Sequence, residues 1–374
     1  MATISNKVLY PMLVISTNIH YVKELHDVRA DILDKCESSD VFGLFLLNGL
    51  KTFLKDFKVT NNTTIKEGAV IKGRLSMRET LRRQSLSRNR VCYTAGYIDY
   101  DKDLIGIVKH TLNLMRRYVS NPYIKQGLNN YSSHLEKYKP ILCGMPQIRS
   151  EIKIQSNTGV KNLLTICLLV RMHIEYNLSD NASNRGRATN DKQVLGYIFQ
   201  NYIKDRLTKY VEESKKSSDK KNTYNLAPLS EKCSDGYQKY DYHFTNDEIN
   251  CVVEVKYTSG YFKHDHKHEI RDFMATQHDT GIARSTLGML IYAKLPRGKQ
   301  SSEDDFDIVK RDDYKRNKNP NEVLYKYRAN INLSLDVDSI ETVNQELYDK
   351  VTKVLDAVHY LNEHTDKDIC RVEV

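Results

Sequence analysis

An acid and a base stand two residues apart in a β-prone stretch, and this is where the chain could do chemistry. Residues 240–257, YDYHFTNDEINCVVEVKY, combine an aromatic run, a polar turn cluster and a β-branched run. This order predicts a β-hairpin. Side chains alternate along a strand, so Glu254 and Lys256 share one face of the second strand. Asp241, near the start of the first strand, can lie across from both.

Two carboxylates and a lysine that converge at a hairpin suit a hard divalent cation near a phosphate. Mg²⁺ takes oxygen ligands, usually one or two carboxylates with water and phosphate oxygens. We therefore predict that Asp241 and Glu254 are metal ligands, and that Lys256 orients a water or neutralises charge on the phosphate. Asp235 is a rival first acid, although the strand context and spacing of Asp241 fit a tight hairpin better. An edge strand with solvated charges is the alternative interpretation of the motif.

Length and composition set limits on the protein class. The 374 residues are enough for two domains. The net charge of +9 fits a polyanionic partner, and it also fits ordinary solubility charge. No apolar run approaches the ~20 residues of a membrane helix, and the N-terminus lacks a signal-peptide pattern. We therefore expect a soluble cytoplasmic protein that does not enter the membrane. The seven cysteines include no CxxC pair, which argues against a cysteine zinc site.

Several helices and strands are predicted to position the hairpin. Helical spacing of apolar residues occupies 104–119, 157–176, 191–210 and 339–363, and strand patterns occupy 286–294 and 327–337. The polar stretch 178–190 is rich in glycine, asparagine and serine, which predicts a linker. We therefore expect two domains, residues 1–180 and residues 181–374.

A dense basic segment spans residues 72–90, between a strand-like stretch and a predicted strand. Its candidate contact residues are Arg74, Arg78 and Arg82, which could meet phosphates or an acidic surface of a partner protein. A solvated basic face is the alternative interpretation.

Two blocks of the chain resemble the McrC family, the nuclease subunit of methylation-dependent McrBC restriction systems. The first block includes IKGRLSMRETLRRQ at residues 71–84 and a later helix, and it keeps the family pattern at Ile71, Gly73, Arg74, Thr80, Lys109, Thr111 and Leu112. It departs from the pattern at Gly106, where the family usually carries a polar residue. In the second block, Phe199 matches the helix that leads the nuclease domain. Asp241 and the Glu254–Tyr257 stretch match the acidic strands of the PD-(D/E)xK motif.

The resemblance implies an α+β fold with two domains. The N-terminal domain is expected to be mixed α/β and to dock onto a partner, and the C-terminal domain to be a PD-(D/E)xK core with a mixed sheet flanked by helices. The implied activity is that of an endonuclease subunit in a modification-dependent, 5-methylcytosine-type restriction complex. It would cleave double-stranded DNA with Mg²⁺ and stimulate a McrB-like AAA+ GTPase. This chain has no GxxxxGK[ST] of its own.

Two departures from the family pattern keep alternatives open. The acid of the leading family helix falls on or near Tyr197 here, so no carboxylate stands in its place. A family glutamine that supports the site has Asp272 near its position and Gln277 more than a turn later, and both are candidate supporting residues. A catalytically inactive regulatory subunit of an AAA+ NTPase and a standalone structure-specific nuclease are therefore the alternative functions.

Overall fold

The protein is a mixed α/β molecule whose chain divides into two compact units. One unit joins Met1–Val41 to Glu175–Val374, and the other is Phe42–Ile174. The computed structural model describes residues 4–17, 30–71, 74–178, 187–216, 224–226, 241–246, 249–257, 285–294, 305–309, 323–334 and 337–364.

The regular elements of the described residues follow in chain order. The α-helices are α1 Asn6–Ser16, α2 Ala30–Leu33, α3 Ser38–Phe53, α4 Met77–Arg82, α5 Lys102–Tyr118, α6 Pro122–His134, α7 Met145–Ile154, α8 Thr158–Leu178, α9 Arg187–Ser214 and α10 Ile340–Glu363. The strands are β1 Lys58–Gly68, β2 Arg74–Leu75, β3 Val91–Tyr100, β4 Asn225–Leu226, β5 Tyr242–Thr245, β6 Ile249–Tyr257, β7 Ser285–Lys294, β8 Asp305–Val309 and β9 Val323–Asn332. Short 3-10 helices cover Leu54–Phe57 and Ser85–Arg88.

The unit 42–174 combines an antiparallel sheet with helices. In the sheet, β3 lies between β1 and β2. The helix predicted over 104–119 is confirmed as α5, and its stripe of Val108, Leu112 and Met115 is buried. Asp101 caps this helix, since its side chain accepts hydrogen bonds from the backbone N–H groups of Asp103 and Leu104, both at 3.0 Å.

Two positions of α5 that bear on the family resemblance, Gly106 and Lys109, contact the segment that follows α6. A Cβ atom at Gly106 would lie 2.6 Å from Ile141 Cγ1, so a larger residue here would force the neighbouring segment to shift, which accounts for the departure from the family pattern. Lys109 is 9% exposed, and its Nζ donates to the backbone oxygens of Glu136 at 3.0 Å and Tyr138 at 2.6 Å. The match at Lys109 therefore has a structural explanation.

A buried histidine makes this unit sensitive to acid. The rings of His173 and Phe42 are stacked, with 4.1 Å between their centroids. Burial lowers the pKa of His173 to about 4. Because the unfolded pKa is about 6.5, the folded state loses stability as pH falls from 6.5 toward 4, by about 2 kcal/mol at pH 5. We expect His173→Phe to keep the stacked packing and to remove this loss. Denaturant midpoints at pH 7 and pH 5 measure it, and an equal loss in both proteins would contradict this assignment.

The other unit contains a mixed sheet with strand order β4-β5-β6-β7-β9-β8. The strands β6, β7 and β9 run parallel, whereas β4, β5 and β6 pair antiparallel and β8 pairs antiparallel with β9. The mixed sheet with flanking helices agrees with the expected fold class at this level. The strand predicted over 327–337 is present, but it begins at Val323 and ends at Asn332.

One face of this sheet is apolar and covered by helices. The Tyr242 hydroxyl donates to the backbone oxygen of Gln200 on α9 at 2.7 Å, and the Tyr325 hydroxyl donates to Asn362 on α10 at 3.4 Å. The side chains that share this face are all buried: Val253, Val255, Met289, Ile291, Tyr327 and Ala329. We call it the helix-covered face.

The N-terminal helix belongs to the same unit as the mixed sheet. Helix α1 packs on α9 and α10, and the backbone N–H of Ser5 donates to the backbone oxygen of Leu333 at 3.3 Å. The expected division at residue 180 lies close to the end of the unit 42–174, but it grouped residues 1–41 with the N-terminal domain. The difference arises because α1 is buried along most of its length and contributes to the core around the mixed sheet.

None of the helices among the described residues is both long enough and apolar enough to cross a bilayer.

Candidate active site

The predicted hairpin is confirmed. Strands β5 and β6 pair antiparallel from Tyr242 opposite Val253 to Thr245 opposite Asn250. Asn246 closes the turn, since its side-chain oxygen accepts from the Ile249 backbone N–H at 2.7 Å. Asp241 directly precedes β5, and this register brings it beside the carboxyl-terminal half of β6.

Asp241 is held by two hydrogen bonds from different elements. The backbone N–H of Val255 donates to Oδ2 at 2.7 Å, and the side-chain amide of Gln200 donates to Oδ1. Burial raises the pKa of the Asp241 carboxyl, while these two hydrogen bonds and the charge of Lys256 oppose the rise. The two hydrogen bonds therefore orient the carboxylate before any ligand binds, and burial makes the carboxyl group a weaker acid.

Glu254 and Lys256 form an ion pair on the sheet face opposite the helix-covered face. Their side chains are 19% and 29% exposed, so solvent and a ligand can reach both. The pKa of the Tyr242 hydroxyl is raised by burial and further by the charges of Asp241 and Glu254. Both carboxylates therefore lie within electrostatic range of one hydroxyl group.

Asp241 and Glu254 carry oxygen donors of the kind that Mg²⁺ prefers, and a magnesium ion at these residues stays a prediction. Within the described ranges, no group of three or more His, Cys, Asp and Glu residues could hold a metal. Asp241 and Glu254 supply carboxylate oxygens, and two carboxylates completed by water and phosphate are a usual Mg²⁺ arrangement. A zinc ion, which prefers nitrogen and sulfur ligands, would find neither at these two residues.

Sequence reasoning missed Gln200. It sought a carboxylate at Tyr197, which is 42% exposed, whereas the α9 side chain that reaches Asp241 stands three residues later. Positions three apart on a helix lie on the same side. A search of that helix side for any polar residue, and not for an acid alone, could have found Gln200.

Gln200 tunes the acidity of Asp241, and this can be tested. Its hydrogen bond lowers the pKa of Asp241. We expect Gln200→Ala to raise that pKa, so metal-dependent activity at the site is lost at a higher pH as the solution is acidified. A pH profile of cleavage, or of Mg²⁺ binding, measures the shift. Asn201→Ala, one residue along α9, is the control. If activity is half lost at the same acidic pH in Gln200→Ala as in the unsubstituted protein, this role of Gln200 is contradicted.

The remaining predicted residues fall into two groups. Asp272, Gln277 and the rival acid Asp235 lie outside the described residues. Arg74, Arg78 and Arg82 are exposed in the unit 42–174, on β2 and α4. Arg82 pairs with Glu79 at 3.2 Å. Their roles stay predictions.

Comparison with known proteins assigns the family. A sequence model described as McrBC 5-methylcytosine restriction system component matches residues 5–278. The chain belongs to this family. The resemblance inferred from the McrC motifs is therefore confirmed at the family level, and no curated protein matches the chain.

Two solved structures are similar to the chain at low sequence identity. A half-complex of Thermococcus gammatolerans McrB AAA+ hexamers with bound McrC has a TM-score of 0.46 and 9% identity, covering 94% of this chain and 78% of that chain. The cryo-EM structure of the Thermococcus gammatolerans McrBC complex has a TM-score of 0.26 and 12% identity, covering 48% of this chain and 59% of that chain. The family assignment rests on the sequence match.

Proposed function

We propose that this member of the McrBC family is a Mg²⁺-dependent endonuclease subunit that cleaves double-stranded DNA. The observation that carries the proposal is the convergence of Asp241, Glu254 and Lys256 at one end of the β5–β6 hairpin. The arrangement of an antiparallel hairpin, parallel strands and flanking helices supports a PD-(D/E)xK core. In this proposal the complex acts on DNA with 5-methylcytosine-type modification, as the family description suggests.

Each residue of the hairpin has a distinct part in the proposed reaction. Asp241 and Glu254 would hold Mg²⁺, which supplies positive charge and lowers the pKa of bound water. Val255 and Gln200 fix the direction of the Asp241 oxygens through their hydrogen bonds. The Lys256 ammonium, which pairs with Glu254, would stabilise the negative charge that builds on the phosphate during hydrolysis.

The proposed partner is a McrB-like AAA+ GTPase, which this chain would bind and stimulate. We define the docking segment as residues 70–90. It exposes apolar side chains among arginines: Val70 is 66% exposed, Met77 50% and Leu81 63%. Apolar groups left in water beside basic ones are typical of a surface that binds an acidic protein partner. In the Thermococcus gammatolerans half-complex, McrB hexamers carry bound McrC.

An inactive regulatory subunit is the second candidate function. It is favoured by Tyr197, which leaves the leading helix without the acid of many related nucleases. Such a subunit would raise the NTP hydrolysis of the partner without cutting DNA. A standalone structure-specific nuclease is a third possibility, and it would cut without any partner.

One experiment separates the three functions. The purified chain is mixed with methylated or unmethylated duplex DNA in Mg²⁺, with and without an AAA+ GTPase from a neighbouring gene. The proposal predicts cutting of methylated DNA that needs the partner and is lost with EDTA. Stimulated GTP hydrolysis without cutting would instead establish the regulatory subunit, and cutting without the partner the standalone nuclease.

A further inference from the structure

One turn of helix α9 covers the end of the hairpin at which the candidate catalytic residues lie. A Cβ atom at Gly196 would be 3.6 Å from the Cβ of Tyr257, which is ordinary contact. The rings of Phe199 and Tyr257 are in an edge-to-face arrangement, with 6.2 Å between their centroids. Gln200 donates to Asp241 from the same turn. This turn therefore lies between the end of β6 and the first carboxylate of the site.

Tyr197 is the exposed residue of this turn. It is 42% exposed, whereas Ile198 and Phe199 beside it are fully buried. Residues three apart on a helix lie on the same side, so Tyr197 shares the side from which Gln200 reaches Asp241. A bound DNA strand at the site can therefore reach the Tyr197 side chain.

The electrostatics of a neighbouring tyrosine agree with this position. Burial is the main cause that raises the pKa of the Tyr242 hydroxyl. The nearby groups that raise it further are Asp241, Glu254 and Tyr197. The Tyr197 hydroxyl and both carboxylates thus lie within electrostatic range of the same group.

The hydroxyl group of Tyr197 differs from a carboxylate in what it can bind. An ionised carboxylate only accepts hydrogen bonds and repels a phosphate, whereas a phenol hydroxyl can donate. Asp241 and Glu254 already supply two carboxylates, and Mg²⁺ beside a phosphate usually takes one or two. A donor at this place therefore suits the phosphate better than the metal, and tyrosine is among the side chains that contact DNA phosphates.

We propose that the Tyr197 hydroxyl donates a hydrogen bond to a phosphate oxygen of the DNA strand bound at the candidate active site. This inference rests on the proposed nuclease function. The contact is neutral, so it positions the phosphate without adding positive charge. The salt dependence of DNA binding arises from phosphates neutralised by lysine and arginine, and this contact therefore adds affinity without adding salt dependence.

DNA binding at several salt concentrations tests the contact apart from cleavage. A labelled duplex is titrated with the full chain, from low salt upward, in Ca²⁺ in place of Mg²⁺. Tyr197→Phe removes only the hydroxyl, and we expect about tenfold weaker binding, a usual effect of losing a hydrogen bond to a charged group. The slope of log K against log salt should not change, because no positive charge is lost. Undiminished binding by Tyr197→Phe would overturn the inference, as would an unsubstituted chain that binds no DNA.

A matched control removes the hydroxyl of another exposed tyrosine in the same unit. Tyr360 is 50% exposed on α10. Two residues later, Asn362 accepts from Tyr325, whose row in the sheet includes Cys251 near the start of β6. Tyr360 therefore lies toward the end of the sheet away from the candidate active site. Tyr360→Phe should bind DNA like the unsubstituted chain, and an equal loss in both variants would count against a specific contact at Tyr197.

A carboxylate at position 197 separates a phosphate contact from a metal ligand. Tyr197→Glu removes the donor and adds negative charge beside the phosphate, so its binding should be weaker than that of Tyr197→Phe. Tighter metal binding and faster cleavage in Tyr197→Glu would mean that this position serves the metal, and the inference would be wrong. Thermal melting checks that each variant is folded, and Tyr197→Phe, which keeps the ring, decides the question if Tyr197→Glu does not fold.

The failure of the nuclease proposal gives a different pattern. In that case the unsubstituted chain does not cut, or Lys256→Ala cuts as well as it does, while weaker binding by Tyr197→Phe alone would still identify a DNA contact at this end of the hairpin. If Lys256→Ala loses cleavage but Tyr197→Phe binds and cuts like the unsubstituted chain, the nuclease proposal stands and only this inference falls.

Discussion

Replacing Lys256 with alanine is expected to reduce DNA cleavage by about a thousandfold while leaving the partner's GTP hydrolysis stimulated. Loss of one group that stabilises transition-state charge typically has an effect of this size. Lys256 is 29% exposed and lies near the end of β6, so its removal leaves no large cavity. Single-turnover cleavage of methylated duplex DNA by the assembled complex measures the effect.

Two further variants make this prediction specific to the site. Asp241→Asn keeps the shape of the side chain but removes the charge that a metal requires, so it should also lose cleavage, and added Mg²⁺ should restore little. Lys353→Ala removes an exposed lysine on the far side of the unit and should cut normally. Undiminished cleavage by both Lys256→Ala and Asp241→Asn would remove the catalytic assignment.

The hairpin was predictable because its determinants are local. Aromatic and β-branched runs on either side of a polar turn specify two antiparallel strands, and side-chain alternation then puts Glu254 and Lys256 on one face. The apolar periodicity of α5 and α10 likewise predicted where those helices begin and end to within two residues. Each pattern lies within a short stretch of sequence and needs no knowledge of distant contacts.

The contacts that complete the site come from distant parts of the chain. Gln200 precedes Asp241 by 41 residues, and it reaches Asp241 only because α9 packs on the sheet. The register of β6, β7 and β9 could not be predicted either, because parallel strands are joined by long connections that leave no local signal of register. The place of α1 has the same explanation, since a buried helix does not specify in its own sequence which core it joins.

The second large effect is expected at the docking segment. Leu81→Asp places a charge where we propose an apolar contact with the AAA+ partner, and Arg78→Glu reverses a charge that would face an acidic surface. Central residues of an interface typically contribute 2 kcal/mol or more, so the partner concentration for half-maximal GTPase stimulation should rise by about thirtyfold for Leu81→Asp. Arg78→Glu should act mainly at low salt, since it removes electrostatic steering.

Folding and docking can be separated because the substituted side chains already face water. Leu81 is 63% exposed, and substitutions at such positions usually change the free energy of unfolding by less than about 0.5 kcal/mol. Leu142, 84% exposed in the same unit but outside the docking segment, provides the control Leu142→Asp. Stimulation by Leu81→Asp and Arg78→Glu equal to that by Leu142→Asp would place the partner contact elsewhere. If these variants no longer stimulate GTP hydrolysis by the partner while Lys256→Ala still does, partner activation and DNA cleavage belong to different units of the chain.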